Sequence, residues 1–289
     1  MAGIELEIHL KIIDTHQHFW NLKNFPCSWC AGIPKLNRSF SLRNYLAAAK
    51  GIEVTKTVFM ECDVNEPHSL DEARHVQSLA DDNPLIAGIV AGGRPEREGF
   101  RQHLEELAVL SKVRGLRRVL HTQPDELSQS KLFAENLRML PQYQLTFDIC
   151  MQARQLPIAI ELVKKCSEVT FILDHCGNPD VKGKALDPWR DHIVKLAALP
   201  NVAACKISGI VASADSENWT ADDLRPWVEH VLESFGWDRV VWGSDWPVCT
   251  LSATCKQWLD AALELTKGEN DERRRKLFHD NARRIYRLT

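Results

Sequence analysis

Val169-Thr170-Phe171-Ile172-Leu173-Asp174-His175 leads, through Asp187-Pro188, into the amphipathic run Trp189–Leu199. Pro200-Asn201 follows, and then Val202-Ala203-Ala204-Cys205-Lys206-Ile207-Ser208. Two apolar, β-forming segments thus flank one helical segment. Asp187-Pro188 reads as an N-cap followed by the first helical residue. Pro200-Asn201 stops the helix. A strand, a helix and a strand in succession imply a parallel pair, because parallel strands need a crossover. Both strands are apolar almost throughout, as expected where a sheet is covered on both faces.

The same alternation extends over the chain. Eight short apolar runs recur: Ile12–His16, Lys56–Glu61, Leu85–Ala91, Val113–Leu120, Gln144–Cys150, Val169–Asp174, Val202–Ile207 and Arg239–Trp242. Amphipathic stretches separate them. Asn83-Pro84 closes a helix over Asp71–Ala80. Thr220 with Asp223 resembles a capping box for a helix that reaches Phe235, with Gly236 as terminator. Eight such units in 289 residues predict an α/β protein built as a single (β/α)8 TIM barrel spanning 1–289. The alternative is an open doubly wound sheet, but no G-x-G-x-x-G follows the first strand.

Composition narrows the function. Hydrophobic residues make up 44% and charged residues 26%, which excludes disordered, collagen-like and coiled-coil chains. With 36 basic and 39 acidic residues, the net charge of −3 leaves no field for a nucleic acid backbone or an anionic membrane. The stretch Met1–Leu10 lacks the basic start and apolar core of a secretory signal. The longest apolar run, Leu85–Gly93, is far below the ~20 residues of a membrane span. Nine scattered cysteines suit reduced thiols and a cytoplasmic location. Cys27 and Cys30 form one C-x-x-C without a second pair, so they read as loop thiols rather than a zinc knuckle.

A parallel barrel carries its active site at the carboxyl ends of its strands. Those ends hold His16 and His18, Glu61 and Asp63, Arg117, Arg118 and His121, Asp148, Asp174 and His175, Lys206 and Ser208, and Asp245. His16 and His18 are two apart on a strand and so project to one side. They fit two imidazoles on one ion or one substrate oxygen, or two structural histidines. Glu61 fits a ligand, a base or an ion-pair partner. Sharing a face with Gly115 and Val119, Arg117 points inward more readily than Arg118. It fits a substrate contact or a wall ion pair, and Lys206 has the same two readings. Trp20, Trp29 and Trp246 are candidates for the cavity lining. His9, His68, His75, His103, His192, His230 and His279 fall outside the pattern. The loop Asn21–Ser41 is long enough to cover the site.

The segments Ile13-Asp14 with His16-Gln17-His18-Phe19-Trp20, Leu173-Asp174-His175-Cys176-Gly177, Cys205-Lys206-Ile207-Ser208-Gly209 and Trp242-Gly243-Ser244-Asp245-Trp246-Pro247 together resemble the amidohydrolase superfamily, and within it the lactonase branch. Arg114-Gly115-Leu116-Arg117 and the ending Asn281-Ala282-Arg283-Arg284-Ile285-Tyr286 fit the same pattern. The resemblance implies a (β/α)8 barrel, a cyclic-ester hydrolase of carbohydrate metabolism, and active-site roles for His16, His18, His175 and Asp245. It implies one divalent metal, zinc first, held by His16, His18 and Asp245 with Glu61, or else catalysis without metal. The fourth strand offers no bridging lysine or glutamate and the fifth no histidine, which argues against a binuclear centre. On this reading Asp245 is the general base, His16 and His18 polarise the carbonyl, and His175 orients water or stabilises the oxyanion. Arg117, Lys206, Trp20 and Trp246 hold the substrate, a sugar-acid lactone of the L-fucono or L-rhamnono type. A pyrone-dicarboxylate lactonase, a metal-dependent decarboxylase and a non-enzymatic ligand-binding barrel are the alternatives. A homo-oligomer is compatible with the sequence.

Overall fold

The structure, a computed structural model, describes residues 10–289. His9 and all but the last residue of the stretch read as lacking a secretory signal lie outside the described residues. Eight parallel strands follow one another around the sheet in chain order: β1 Ile12–Gln17, β2 Val54–Met60, β3 Ile86–Gly92, β4 Val113–Val119, β5 Thr146–Cys150, β6 Phe171–Leu173, β7 Val202–Ile207 and β8 Val240–Trp242. The ring closes between the first strand and the residues after the last. Asp245 N–H donates to His16 O at 2.7 Å and His18 N–H to Trp246 O at 2.7 Å. This is a single-domain (β/α)8 TIM barrel.

The crossover helices are α1 Leu42–Ala48, α2 Ser69–Asp82, α3 Phe100–Ala108, α4 Glu126–Gln129 with α5 Lys131–Leu137, α6 Leu156–Lys165, α7 Trp189–Ala197 and α8 Ala221–Phe235. After β8 come α9 Cys255–Leu265, α10 Asp271–Arg275 and α11 Asn281–Ile285. The longer helices α2, α3, α6, α7, α8 and α9 each bury one face. In α8 that face is Leu224, Trp227, Val228, Val231, Leu232 and Phe235, and the Thr220–Asp223 capping box forms as expected. Gly236 ends that helix at φ +67°, where a side chain would be strained. The expected cap of α7 is corrected. Pro188, not Asp187, occupies the N-cap position, and no side chain caps the helix.

The strand interiors form a compact plug. Ile13, Val58, Met60, Ala87, Val90, Ile172, Ala204 and Val241 pack on Ala282, Ile285, Tyr286 and Leu288 from the carboxyl-terminal end of the chain. One pole of the barrel is thereby sealed with hydrocarbon. The polar residues at the strand ends are left to line the other pole. No helix among the described residues is long and apolar enough to cross a membrane.

Candidate active site

A bulge in β1 sets the two histidines. Asp14 pairs with Thr57 and Gln17 with Phe59, so three steps along β1 match two along β2. An inserted residue switches which side chains face inward. Ile13 belongs to the inner plug, and after the bulge His16 and His18 also project inward. Their ring centroids are 5.0 Å apart, and His16 lies 4.4 Å from the ring of His175. His18 Nδ1 donates to Met60 O at 2.8 Å. In the neutral ring, Nε2 is then a bare acceptor, 3.4 Å from Asp245 Oδ1. Two facing acceptors call for a shared proton or a cation.

Asp63, His175 and Asp245 stand at strand ends with φ of +47°, +53° and +54°. Such backbone is uncommon for residues with a Cβ and collects at functional sites. Each of these side chains turns back over the barrel mouth. Two glycines make room for the imidazoles. A Cβ on Gly209 would come within 2.3 Å of His175 Nδ1, and one on Gly243 within 2.6 Å of His16 Cβ. His175 Nδ1 pairs with Ser208 Oγ at 2.9 Å, which leaves Nε2 for the site. Burial holds both His16 and His175 below the ordinary imidazole value, well below for His16, where Lys206 and His175 reinforce the effect against the pull of Asp174. Both rings are therefore neutral at pH 7, with a lone pair to offer.

Beneath the imidazoles runs a buried ionic layer. Arg117 donates through Nε to Glu61 Oε1 at 2.7 Å and through Nη2 to Glu61 O at 2.6 Å. Its Nη1 reaches Asp174 Oδ2 at 3.3 Å and His16 Nε2 at 3.2 Å. Lys206 Nζ meets Asp148 Oδ2 at 2.6 Å, Asp174 Oδ1 at 2.9 Å and His16 Nδ1 at 3.4 Å. Tyr286, from the plug, donates to Asp148 Oδ2 at 3.0 Å. Burial alone would raise the carboxyl pKa of Glu61 and Asp174. Arg117 and Arg94 outweigh it for Glu61, and Lys206 and His16 for Asp174, so both remain ionised below the usual carboxylate range.

Glu72, in α2, lies behind this layer, and both its oxygens accept from Cys62 N–H at 3.3 and 3.4 Å. Burial, reinforced by the charge of Glu61, pushes its carboxyl up from 4.5 to about 8. The folded state holds that proton while the unfolded chain releases it. Its contribution to stability is thus full below the unfolded value and is lost as pH rises through the folded one. The slope is roughly −1.4 kcal/mol per pH unit between 4.5 and about 8. Glu72→Gln is expected to remove it. Urea unfolding at pH 6, 7 and 8 should show the variant gaining on the wild type with each unit; parallel curves would contradict a protonated Glu72.

Above the imidazoles opens a cavity of about 440 Å³. His18, His175, Asp245, Arg117, Asp63, His121 and Asn178 line one part of it, and Trp29, Ile33, Leu36, Val248 and Leu251 another. The loop Asn21–Ser41 contributes three of these apolar side chains and so covers the site as expected. Burial pushes His121 down to about 4, helped by Arg117 and His175, so it is neutral as well.

Four expectations need correction. Lys206 does not line the cavity; it is wholly buried under His16 and neutralised by Asp148 and Asp174. Trp20 and Trp246 are each 3% exposed and pack edge-to-face with Phe40. Of the three tryptophans only Trp29 reaches the cavity, because Trp20 spends its N–H on Arg38 O and its ring on the base of the loop. Glu61 spends one oxygen on Arg117 and the other on Asp63 N–H at 2.6 Å, so it is not placed to hold a metal. Arg117 points inward as strand parity suggested, yet four of its five N–H donors go to Glu61, Asp174 and His16, so at most one on Nη2 is left for substrate. Arg118 faces Glu96 and Asp63 instead.

The group that does converge is His16, His175 and Asp245, whose ligand atoms lie within 4.8 Å of one another. Two neutral imidazoles and a carboxylate beside an open cavity fit one divalent ion with a vacant coordination position. Cys150, Asp174 and His175 also come within 4.8 Å, but the Asp174 carboxylate is already spent on Lys206 and Arg117. Sequence reasoning gave Asp174 no task, although it joins both buried cations to His16. It also overlooked the apolar residues Ile33, Leu36, Val248 and Leu251, which look ordinary in a loop until folding brings them together.

Comparison with known proteins gives the family. The amidohydrolase family model matches residues 13–288. This chain belongs to the amidohydrolase family. The amidohydrolase is 29% identical to an L-fucono-1,5-lactonase of Burkholderia multivorans, with 96% of each chain covered. It is 22% identical to an L-rhamnono-gamma-lactonase of Scheffersomyces stipitis, covering 96% of this chain and 99% of that one. Among solved structures, a zinc-bound amidohydrolase from Burkholderia multivorans superposes with a TM-score of 0.88 at 26% identity, covering 96% of this chain and 99% of that one.

Proposed function

We propose that this amidohydrolase opens a neutral sugar-acid lactone, of the L-fucono- or L-rhamnono-lactone type, to the aldonic acid. The observation that carries the reading is the Asp245 carboxylate at the cavity wall, 3.4 Å from His18 and 3.6 Å from His16, with His175 completing the cluster. The lactonases among its relatives support it.

Asp245 Oδ1 faces His16 and His18, and no described residue hydrogen-bonds to Oδ2. Oδ2 takes the proton of the attacking water as its oxygen bonds to the carbonyl carbon. His175 Nε2 accepts a hydrogen bond from that water and orients it. The tetrahedral adduct then collapses, the ring C–O bond breaks, and Asp245 returns the proton to the departing alkoxide. The aldonic acid formed ionises and releases one proton to solvent. His16, His175 and Asp245, with His18 beside them, would hold a divalent metal such as zinc, which when bound supplies Lewis-acid polarisation of the carbonyl.

The charge balance favours a neutral ring. Among the described residues Arg117 is the sole Lys or Arg side chain lining the cavity, and Glu61 and Asp174 neutralise it. Asp63 faces the same space but is paired with Arg94 and Arg118, and Asp245 has no Lys or Arg partner among the described residues, so a dicarboxylated pyrone would meet the Asp245 carboxylate and no unpaired cation. An indicator assay of proton release is expected to show turnover of L-fucono- and L-rhamnono-lactones, and a rate for a pyrone dicarboxylate at least about tenfold lower. Preference for the dianion would overturn the substrate assignment, and no proton release from any lactone would overturn the activity.

A further inference from the structure

The cavity has a second wall that the chemistry above does not use. Trp29, Ile33 and Leu36 reach it from the loop after β1, and Val248 and Leu251 from the turn after β8. The two segments are tied together, since Lys35 Nζ donates to Leu251 O at 3.1 Å. Trp29 spends its single N–H donor on Cys62 O at 2.8 Å, so only its ring carbons remain for a ligand. None of these five side chains can hydrogen-bond to anything in the cavity. A hydroxyl placed here would lose its water without gaining a partner, whereas a hydrocarbon group would gain from leaving water. The wall bounds the same space as Asp245 and His175, and about 440 Å³ is more than a bare lactone ring needs.

We propose that this wall is a subsite for an aliphatic substituent of two or more carbons on the lactone ring. The inference rests on the lactonase reading and deepens it. The ring carbonyl lies over the imidazoles, and the alkyl group extends along Trp29, Ile33 and Leu251. Specificity then comes from buried hydrocarbon on one side and from His121 and Asn178 on the other. Asn178 gives its amide N–H to Met151 O at 2.8 Å, which leaves its carbonyl oxygen for a ligand hydroxyl.

The test is a homologous series on the intact protein: δ-valerolactone and its methyl-, propyl- and pentyl-substituted homologues, followed by proton release. The kcat/KM is expected to rise about fourfold for each methylene until the subsite is full. Ile33→Ser and Leu251→Ser should each lower the ratio of propyl-substituted to unsubstituted kcat/KM by about tenfold. The wild-type series stands by itself should either variant fold poorly. A flat or falling series, in an enzyme that still opens sugar-acid lactones, would overturn the subsite and leave the proposed function standing. Failure to open any lactone would overturn both.

Discussion

Asp245→Asn is expected to lower kcat/KM for lactone opening by about 10²- to 10⁴-fold, the size of effect that a positioned general base supplies. Asparagine keeps the shape of the side chain, and its amide N–H can donate to His18 Nε2, which faces Asp245 Oδ1 at 3.4 Å in the wild type. It cannot accept a proton from water at neutral pH. The fold should survive, because the backbone bond from Asp245 N–H to His16 O that helps close the barrel is untouched. Circular dichroism and the unfolding temperature serve as controls for kcat/KM. A variant that keeps near-wild-type turnover would remove Asp245 from the mechanism, whatever the role of the neighbouring imidazoles.

Lys206→Met should have the largest effect on stability. Methionine nearly reproduces the stem but deletes the ammonium that lies 2.6 Å from Asp148 and 2.9 Å from Asp174. Both carboxylates are fully buried. Removing one partner of a buried pair strands the other charge and costs about 3–5 kcal/mol. In a chain of this size that lowers the unfolding temperature by roughly 6–10 °C. Adding Asp148→Asn to the same chain should recover part of the loss, since it removes a stranded charge and leaves an acceptor for Tyr286. The deficit should also shrink on mild acidification, because burial already raises the Asp148 carboxyl pKa and protonation relieves it. A destabilisation below about 1 kcal/mol would mean that these charges are compensated from elsewhere.

Strand order was legible because it depends on local pattern. Apolar runs such as Val202–Ile207 coincide with β7 residue for residue, and others differ only at their ends. Val169–Asp174 shortens to Phe171–Leu173, since Val169 N–H turns back to Cys166 O at 3.0 Å instead of joining the sheet. Candidate catalytic residues were legible for a related reason: a parallel barrel gathers its strand ends at one pole. His16, His18, His175 and Asp245 needed only that rule to be brought together. Roles further from the reacting atoms did not follow. Lys206 and Glu61 each end a strand and look alike in sequence to a substrate contact or a ligand. Which one they are depends on partners 56 to 58 residues away, Arg117 for Glu61 and Asp148 for Lys206.

Periodicity and strand-end chemistry, both properties of short segments, determined the barrel and the four side chains at its mouth. Tertiary structure alone decided the rest. The bulge in β1 that turns both histidines inward is visible only in the pairing with β2. The exchange of Glu61 for His175 beside Asp245, the neutralising of Arg117 and Lys206, and the joining of two loops into an apolar wall likewise need the closed fold. The physical reason is one of range. Hydrophobic spacing acts over a few residues, whereas burial and charge pairing depend on which distant groups share a low-dielectric interior, and that is set only when the barrel closes.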